Sequence, residues 1–167
     1  EFPELPVIDE KKAVLYEFSI DELKRAVAQT IIACSADTTR PVLTGVLWHS
    51  LEDTLYLAAT DGYRLAEKRF GKAKGEIAAI IPASTLQEVV RSVSDDTDTI
   101  QVYFDETQVG FKTASLEIVS RLIDGKFPDY RQLIPKTNET DVNIIKSDFS
   151  RIAKIANLFA RESGGGI

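Results

Sequence analysis

The chain has 167 residues, 44% of them hydrophobic and 28% charged, with a net charge of −6. That is enough for one good core, or for one domain with pieces of its neighbours, and no apolar run approaches the roughly 20 residues that span a bilayer. The acidic balance argues against a protein that grips nucleic-acid phosphates tightly, because such grip needs a basic surface.

A single cysteine, Cys34, excludes an internal disulfide and suits a reducing cytoplasm. The first dozen residues carry acids and prolines rather than a basic, apolar leader. Methionine is absent throughout, so the chain is read as a processed product or an excised piece of a longer protein.

Alternation predicts a strand over residues 13–18. Ser19 then reads as an N-cap, with Glu22 completing a capping box. The helix it opens runs to about residue 33, with Leu23, Val27, Thr30, Ile31 and Cys34 on one face and Arg25, Ala28, Gln29 and Ile32 opposite. Three strands are predicted next, over 43–50, 54–59 and 64–70. The order then recurs: a strand over 76–81, a capping box at Ser84 and Gln87, and a helix to about residue 93. Its inward residues are Leu86, Val89, Val90 and Val93, and its outward ones Ser84, Gln87, Glu88 and Arg91. Three more strands follow, over 99–104, 108–113 and 116–122.

The chain thus contains β-α-β-β-β twice. One helix covers only part of a four-stranded sheet, so neither unit closes its own core. Pairing them about a pseudo-twofold axis sets both helices on one side of antiparallel sheets, an α+β architecture. After a polar connector over 136–140, a strand over 141–145 and a helix from Ser147 to about residue 161 repeat the opening of the unit and stop. That helix is expected to be frayed or displaced, since most of its sheet is missing.

Groups able to do chemistry are few. His49 alternates out of a strand and reads as a surface or edge histidine. Cys34 ends an apolar helix face and reads as a small hydrophobe. Neither Cys-x-x-Cys nor His-x-x-x-His occurs, so no metal or cofactor is expected. Asp95-Asp96-Thr97-Asp98 reads as a solvated loop, and Gly71-Lys72-Ala73-Lys74-Gly75 lacks the length and ending of a phosphate-binding loop. The expectation is a protein without catalytic residues.

Three segments carry more information. Ala59-Thr60-Asp61-Gly62-Tyr63-Arg64-Leu65-Ala66 is, alone, a hairpin whose Asp-Gly supplies turn geometry. Thr39-Arg40-Pro41-Val42-Leu43-Thr44-Gly45 precedes it, and Asp124-Gly125-Lys126-Phe127-Pro128-Asp129-Tyr130 follows. In this order the three resemble the middle domain of the bacterial replicative sliding clamps, the beta subunits of DNA polymerase III. The resemblance runs from Phe2 to about Glu162 and agrees with the doubled fold read from pattern.

It implies a ring that encircles duplex DNA without gripping it, tolerates an acidic exterior, and tethers the replicative polymerase. The ring of that family is a head-to-tail dimer joined through first and third domains, so this piece is expected to be monomeric. The resemblance further implies a hydrophobic pocket for short linear motifs of polymerase, clamp-loader and repair proteins. Its matching positions here are Leu43, Thr60, Gly62, Tyr63, Leu65, Pro128 and Leu133, with Arg40 and Val42 at the rim. Leu43 and Leu65 are expected to be removable without unfolding. Tyr63 stands where some members have histidine.

Phosphate-facing positions implied are Lys24, Arg25, Gln29 and Arg91 on the helices and Lys126 on the linker. Ala83 and Ser84 stand where some members are basic. Residues 1–12 then read as the end of a first domain, 13–135 as the complete middle domain and 136–167 as the start of a third. Such a protein is cytoplasmic and associated with the bacterial nucleoid during replication. The alternative is a stand-alone peptide-binding adaptor of the same fold without a DNA role.

Overall fold

A computed structural model describes Ile8, residues 13–94 and residues 97–160. Asp95 and Asp96 of the acidic cluster, the glycines at 164–166 and most of residues 1–12 lie outside these. The chain divides into two compact units, Glu1–Asp129 and Tyr130–Ile167.

In the first unit the doubled pattern is realised in chain order. The first copy is β1 (Val14–Ser19), α1 (Ile20–Thr30), β2 (Gly45–Leu51), β3 (Thr54–Thr60) and β4 (Leu65–Lys72). The second is β5 (Ala78–Pro82), α2 (Ala83–Ser92), β6 (Thr99–Phe104), β7 (Gln108–Lys112) and β8 (Glu117–Arg121). Two four-stranded antiparallel sheets result, ordered β1-β6-β7-β8 and β4-β3-β2-β5. The first strand of each copy therefore joins the other copy's sheet. β1 lies along β6 from Val14 opposite Phe104 to Ser19 opposite Thr99, and β5 lies along β2.

The helices form one layer. α1 packs on β4, β3 and β1, α2 packs on β5 and β2, and the two helices touch each other. Burial follows the predicted periodicity: Leu23, Val27 and Thr30 of α1 and Leu86 and Val89 of α2 are buried, while Arg25, Gln29, Gln87 and Arg91 are exposed. Buried Thr30 satisfies its hydroxyl by donating to the carbonyl of Ala26 at 2.9 Å.

An aromatic cluster joins the sheets. Phe18 of β1 packs at 4.3 Å and a tilt of 32° against Phe70 of β4 and meets Trp48 of β2 edge-on at 6.0 Å, and Trp48 lies 5.7 Å from Phe104 of β6. Trp48 is fully buried, and its ring N–H has no partner among the described residues.

Several boundaries differ from the sequence expectation. Neither capping box forms: Ser19 has extended N-cap geometry without a side-chain bond, and α2 starts at Ala83, placing Ser84 inside the helix. At those ends the backbone finds partners elsewhere. The Ile20 N–H donates to the Asp98 carbonyl and the Ala83 N–H to that of Thr44. The strand expected from residue 43 begins at Gly45, because Pro41–Leu43 closes into a 3₁₀ turn with proline in its first turn.

In the second unit, Tyr130–Leu133 forms a 3₁₀ turn and α3 spans Lys146–Ala160. The strand expected over 141–145 is not formed. No described residue pairs with it, and a strand without a ladder partner leaves its backbone to water. α3 is regular over its length rather than frayed, and its apolar side chains Phe149, Ile152, Ile155 and Phe159 are exposed.

Gly45 marks a close approach between β2 and its neighbours. A Cβ there would lie 2.7 Å from both the Ile80 side chain and the Ile81 carbonyl oxygen, and 2.8 Å from Ile123. Gly45→Ala should therefore cost about 2 kcal/mol, in the range of core overpacking, and appear as a lowered Tm in thermal denaturation.

Candidate functional site

The turn between β3 and β4 is tied by its own side chains. Thr60, at the buried end of β3, donates its hydroxyl to the Arg64 carbonyl at 2.7 Å and accepts the Gly62 N–H at 3.1 Å. Asp61 Oδ1 accepts the N–H groups of Tyr63 at 2.9 Å and Arg64 at 3.0 Å, and Oδ2 accepts from Arg64 Nε at 3.0 Å. The Arg64 and Tyr63 backbone N–H groups hold the Asp61 carboxyl below the usual carboxylate range. Gly62 has φ +95°, which favours glycine, and the space beside its Cα leads to Arg40, 3.6 Å from where a Cβ would lie. Tyr63 is 97% exposed at the tip, free to meet a partner.

Arg40 comes to this turn from the second motif. Asp37 accepts the N–H and hydroxyl of Thr39 and pairs with Arg40 at 3.5 Å. The third motif arrives beside Val42: a Cβ on Gly125, at φ +134°, would sit 2.6 Å from Val42 Cγ1. Sequence segments far apart thus meet as Arg40 against Gly62 and Val42 against Gly125. Pro128 is exposed just beyond buried Phe127. Leu133 belongs to the second unit and is 75% exposed.

Leu43 and Leu65 differ in kind. Leu43 is only 5% exposed, and its carbonyl accepts the Ser35 N–H at 2.8 Å; Leu65, opening β4, is 37% exposed. A groove of about 750 Å³, outside the expected site, is lined by Ala78–Ile80 of β5, the β6–β7 turn and residues 121–125.

On the helix layer, Arg25 and Gln29 are exposed and Lys24 is half-buried on α1, and Lys126 is exposed on the segment after β8. Arg91 of α2 is bound to Glu88, which also accepts the Ser92 hydroxyl. Arg25 and Gln29 border a second groove, of about 470 Å³, whose other wall is Lys68–Gly71 of β4. Sequence reading did not place Lys68 at this groove. The available signal was the alternation of Ala66, Lys68 and Phe70 onto one face of β4.

Burial pushes the Cys34 thiol up to about 11, so it stays protonated, 3.5 Å from the Gly45 carbonyl. His49 is half-buried and stacks on Tyr56 at 5.7 Å. Among the described residues no cluster of three or more His, Cys, Asp or Glu could hold a metal, and no helix is long and apolar enough to cross a membrane.

Residues 17–129 match the family described as DNA polymerase III beta subunit, central domain. The chain belongs to that family. It is 36% identical over 168 residues to the beta sliding clamp of Bacillus subtilis, covering 97% of this chain and 43% of that protein. To the beta sliding clamp of Staphylococcus aureus it is 35% identical, covering 100% of this chain and 44% of the relative. The crystal structure of the Bacillus subtilis DNA polymerase sliding clamp superposes with a TM-score of 0.89 at 34% identity, covering 97% of this chain and 43% of that one. The fold is thus the α+β clamp fold, and the chain spans less than half the length of these relatives.

For this clamp domain the two leucines separate stability from surface. Leu43→Ala should cost about 2–4 kcal/mol, as for a buried leucine, whereas Leu65→Ala should leave the denaturant midpoint nearly unchanged. The Asp61 turn adds a pH signature. Its folded carboxyl titrates below the unfolded value of about 4, so its stabilisation is complete above that value and is lost as pH falls through the lowered one. The Tyr63 and Arg64 amide shifts should titrate with a midpoint below about 4, and Asp61→Asn should remove that titration.

Proposed function

We propose that this chain is the middle part of a bacterial sliding clamp. Residues 13–135 would form the complete middle domain, with 1–12 and 136–167 belonging to its neighbours. The whole protein would close as a head-to-tail dimer around duplex DNA and tether the replicative polymerase in the cytoplasm, with no catalysis of its own. The match of residues 17–129 to the central domain of the family carries this reading. The helix layer is consistent with it: α1 and α2 lie side by side and turn Arg25, Gln29 and Gln87 to solvent. Exposed polar side chains make loose, water-mediated phosphate contacts, which allow sliding.

Partners would dock at the β3–β4 turn as extended peptides with leucine and phenylalanine anchors. Leu65 and Val42 offer apolar surface, and Arg40, Thr60, Gly62 and Tyr63 offer polar groups that fix direction. Leu43 supports this surface from beneath. Pro128 lies on the segment that Gly125 brings to Val42.

The test is an NMR titration of the isotope-labelled chain with such a peptide, taken from a polymerase or clamp-loader protein. Shifts are expected at Thr60, Gly62, Tyr63 and Leu65, and Leu65→Ala should weaken binding about tenfold, the equivalent of about 1.4 kcal/mol. Saturable shifts elsewhere, with those residues unmoved, would refute the docking site.

A further inference from the structure

We propose that this domain receives duplex phosphates unequally, in the groove between α1 and β4, and that Lys68 of β4 is a phosphate contact there. The inference rests on the sliding-clamp reading and adds to it a residue outside the helices.

The groove of about 470 Å³ is bordered by Glu22, Arg25 and Gln29 from α1 and by Lys68, Arg69, Phe70 and Gly71 from β4. Arg25 and Lys68 face it with one carboxylate, Glu22, while Arg69 alternates to the other face of β4, in a chain whose net charge is −6. Lys68 lies opposite Leu57 in the β3–β4 ladder, and cross-strand neighbours point to the same face. Leu57 is buried in the core, so Lys68 is directed to the helix-covered face at the sheet's outer edge, where it is half-buried. Its stem can lie on apolar surface while its ammonium reaches the opening. Across the groove, Arg25 donates its Nε to the Asp21 carbonyl at 3.2 Å, which fixes the guanidinium while leaving its terminal nitrogens available. Neither Lys68 nor Arg25 has an ion-pair partner among the described residues.

The related helix offers less. Arg91 of α2 is engaged by Glu88, and the exposed residues Ser84 and Gln87 are neutral. The pseudo-twofold thus relates a cationic half to a neutralised half. The groove's one large apolar side chain, Phe70, is buried in the core and cannot anchor a peptide. Phosphate binding needs no such anchor, since counterion release supplies its free energy. This favours DNA over an acidic peptide.

Binding of the full 167-residue chain to a short labelled duplex, measured by anisotropy across a salt series, tests the inference. Lys68→Gln and Arg25→Gln should each weaken binding several-fold and reduce the log K against log salt slope by about 0.9, the value for one phosphate contact. Lys68→Arg should restore the slope. Lys72→Gln removes the same charge from the same strand outside the groove and should leave the slope unchanged. If Lys72→Gln and Lys68→Gln behave alike, only net charge matters and the groove is refuted. If Arg25→Gln lowers the slope and Lys68→Gln does not, the role of Lys68 fails while the helix face stands. Absence of salt-dependent binding by the unaltered chain would overturn both the clamp reading of this face and the groove. Competition by polyglutamate as effective as by duplex would assign the groove to acidic peptides instead.

Discussion

The exchange of first strands between the two β-α-β-β-β copies is the constraint on which the first unit depends. β1 belongs by sequence to the first copy, yet it pairs with β6 along its whole length, and β5 pairs with β2 in return. Removing either copy strips an edge strand from the sheet of the other. Neither copy can then bury its apolar face alone, and cooperativity across the unit follows. The aromatic cluster makes the dependence concrete. Tyr16 and Phe18 arrive on the exchanged strand β1, and Phe18 packs against Trp48 and Phe70 of the opposite sheet. Each such pair adds about 0.5–1.5 kcal/mol beyond its buried area.

The exchange also places the surfaces proposed for this domain. Because each helix follows directly on an exchanged strand, α1 and α2 emerge into the same layer and touch. The Ile20 N–H bond to the Asp98 carbonyl ties the start of α1 to the approach of β6, so the helix is anchored to the copy it did not come from. At the other junction, the Ile123 N–H donates to the Ile80 carbonyl and fastens the end of β8 to the edge of β5. That contact lies just ahead of Gly125, whose bare Cα lets the chain close on Val42. The β3–β4 turn is thus held by its own Thr60 and Asp61 side chains, and the segment that reaches Val42 by the backbone bond from the end of β8 to β5.

What the sequence made legible was periodicity. The buried and exposed faces of α1 and α2, the doubled element order and the Asp-Gly turn are all local patterns, and burial of Leu23, Val27, Leu86 and Val89 follows them. What it hid depends on partners distant in the chain. Ser19 and Ser84 have the composition of capping boxes, but tertiary carbonyls of Asp98 and Thr44 supply acceptors at those helix ends. Residues 141–145 have strand propensity and no ladder. Leu43 read as a removable pocket residue because its exposure depends on a 3₁₀ turn that hydrophobic pattern does not encode. Lys68 was passed over because edge position in a sheet is set by topology.

One strand carries both of the surfaces proposed for this domain, and its pleat keeps them apart. Leu65 and Lys68 are three residues apart on β4, an odd separation that sends them to opposite faces. The irregularity in the β3–β4 ladder falls between Leu55 and Tyr56, beyond Lys68, so alternation is intact from Leu65 to Lys68. Shifting β4 by one residue would turn Lys68 from the helix side and expose Phe70. The aromatic packing of Phe70 on Phe18 and Trp48 opposes that slip, which makes a core contact the device that fixes register for peptide and phosphate surfaces alike.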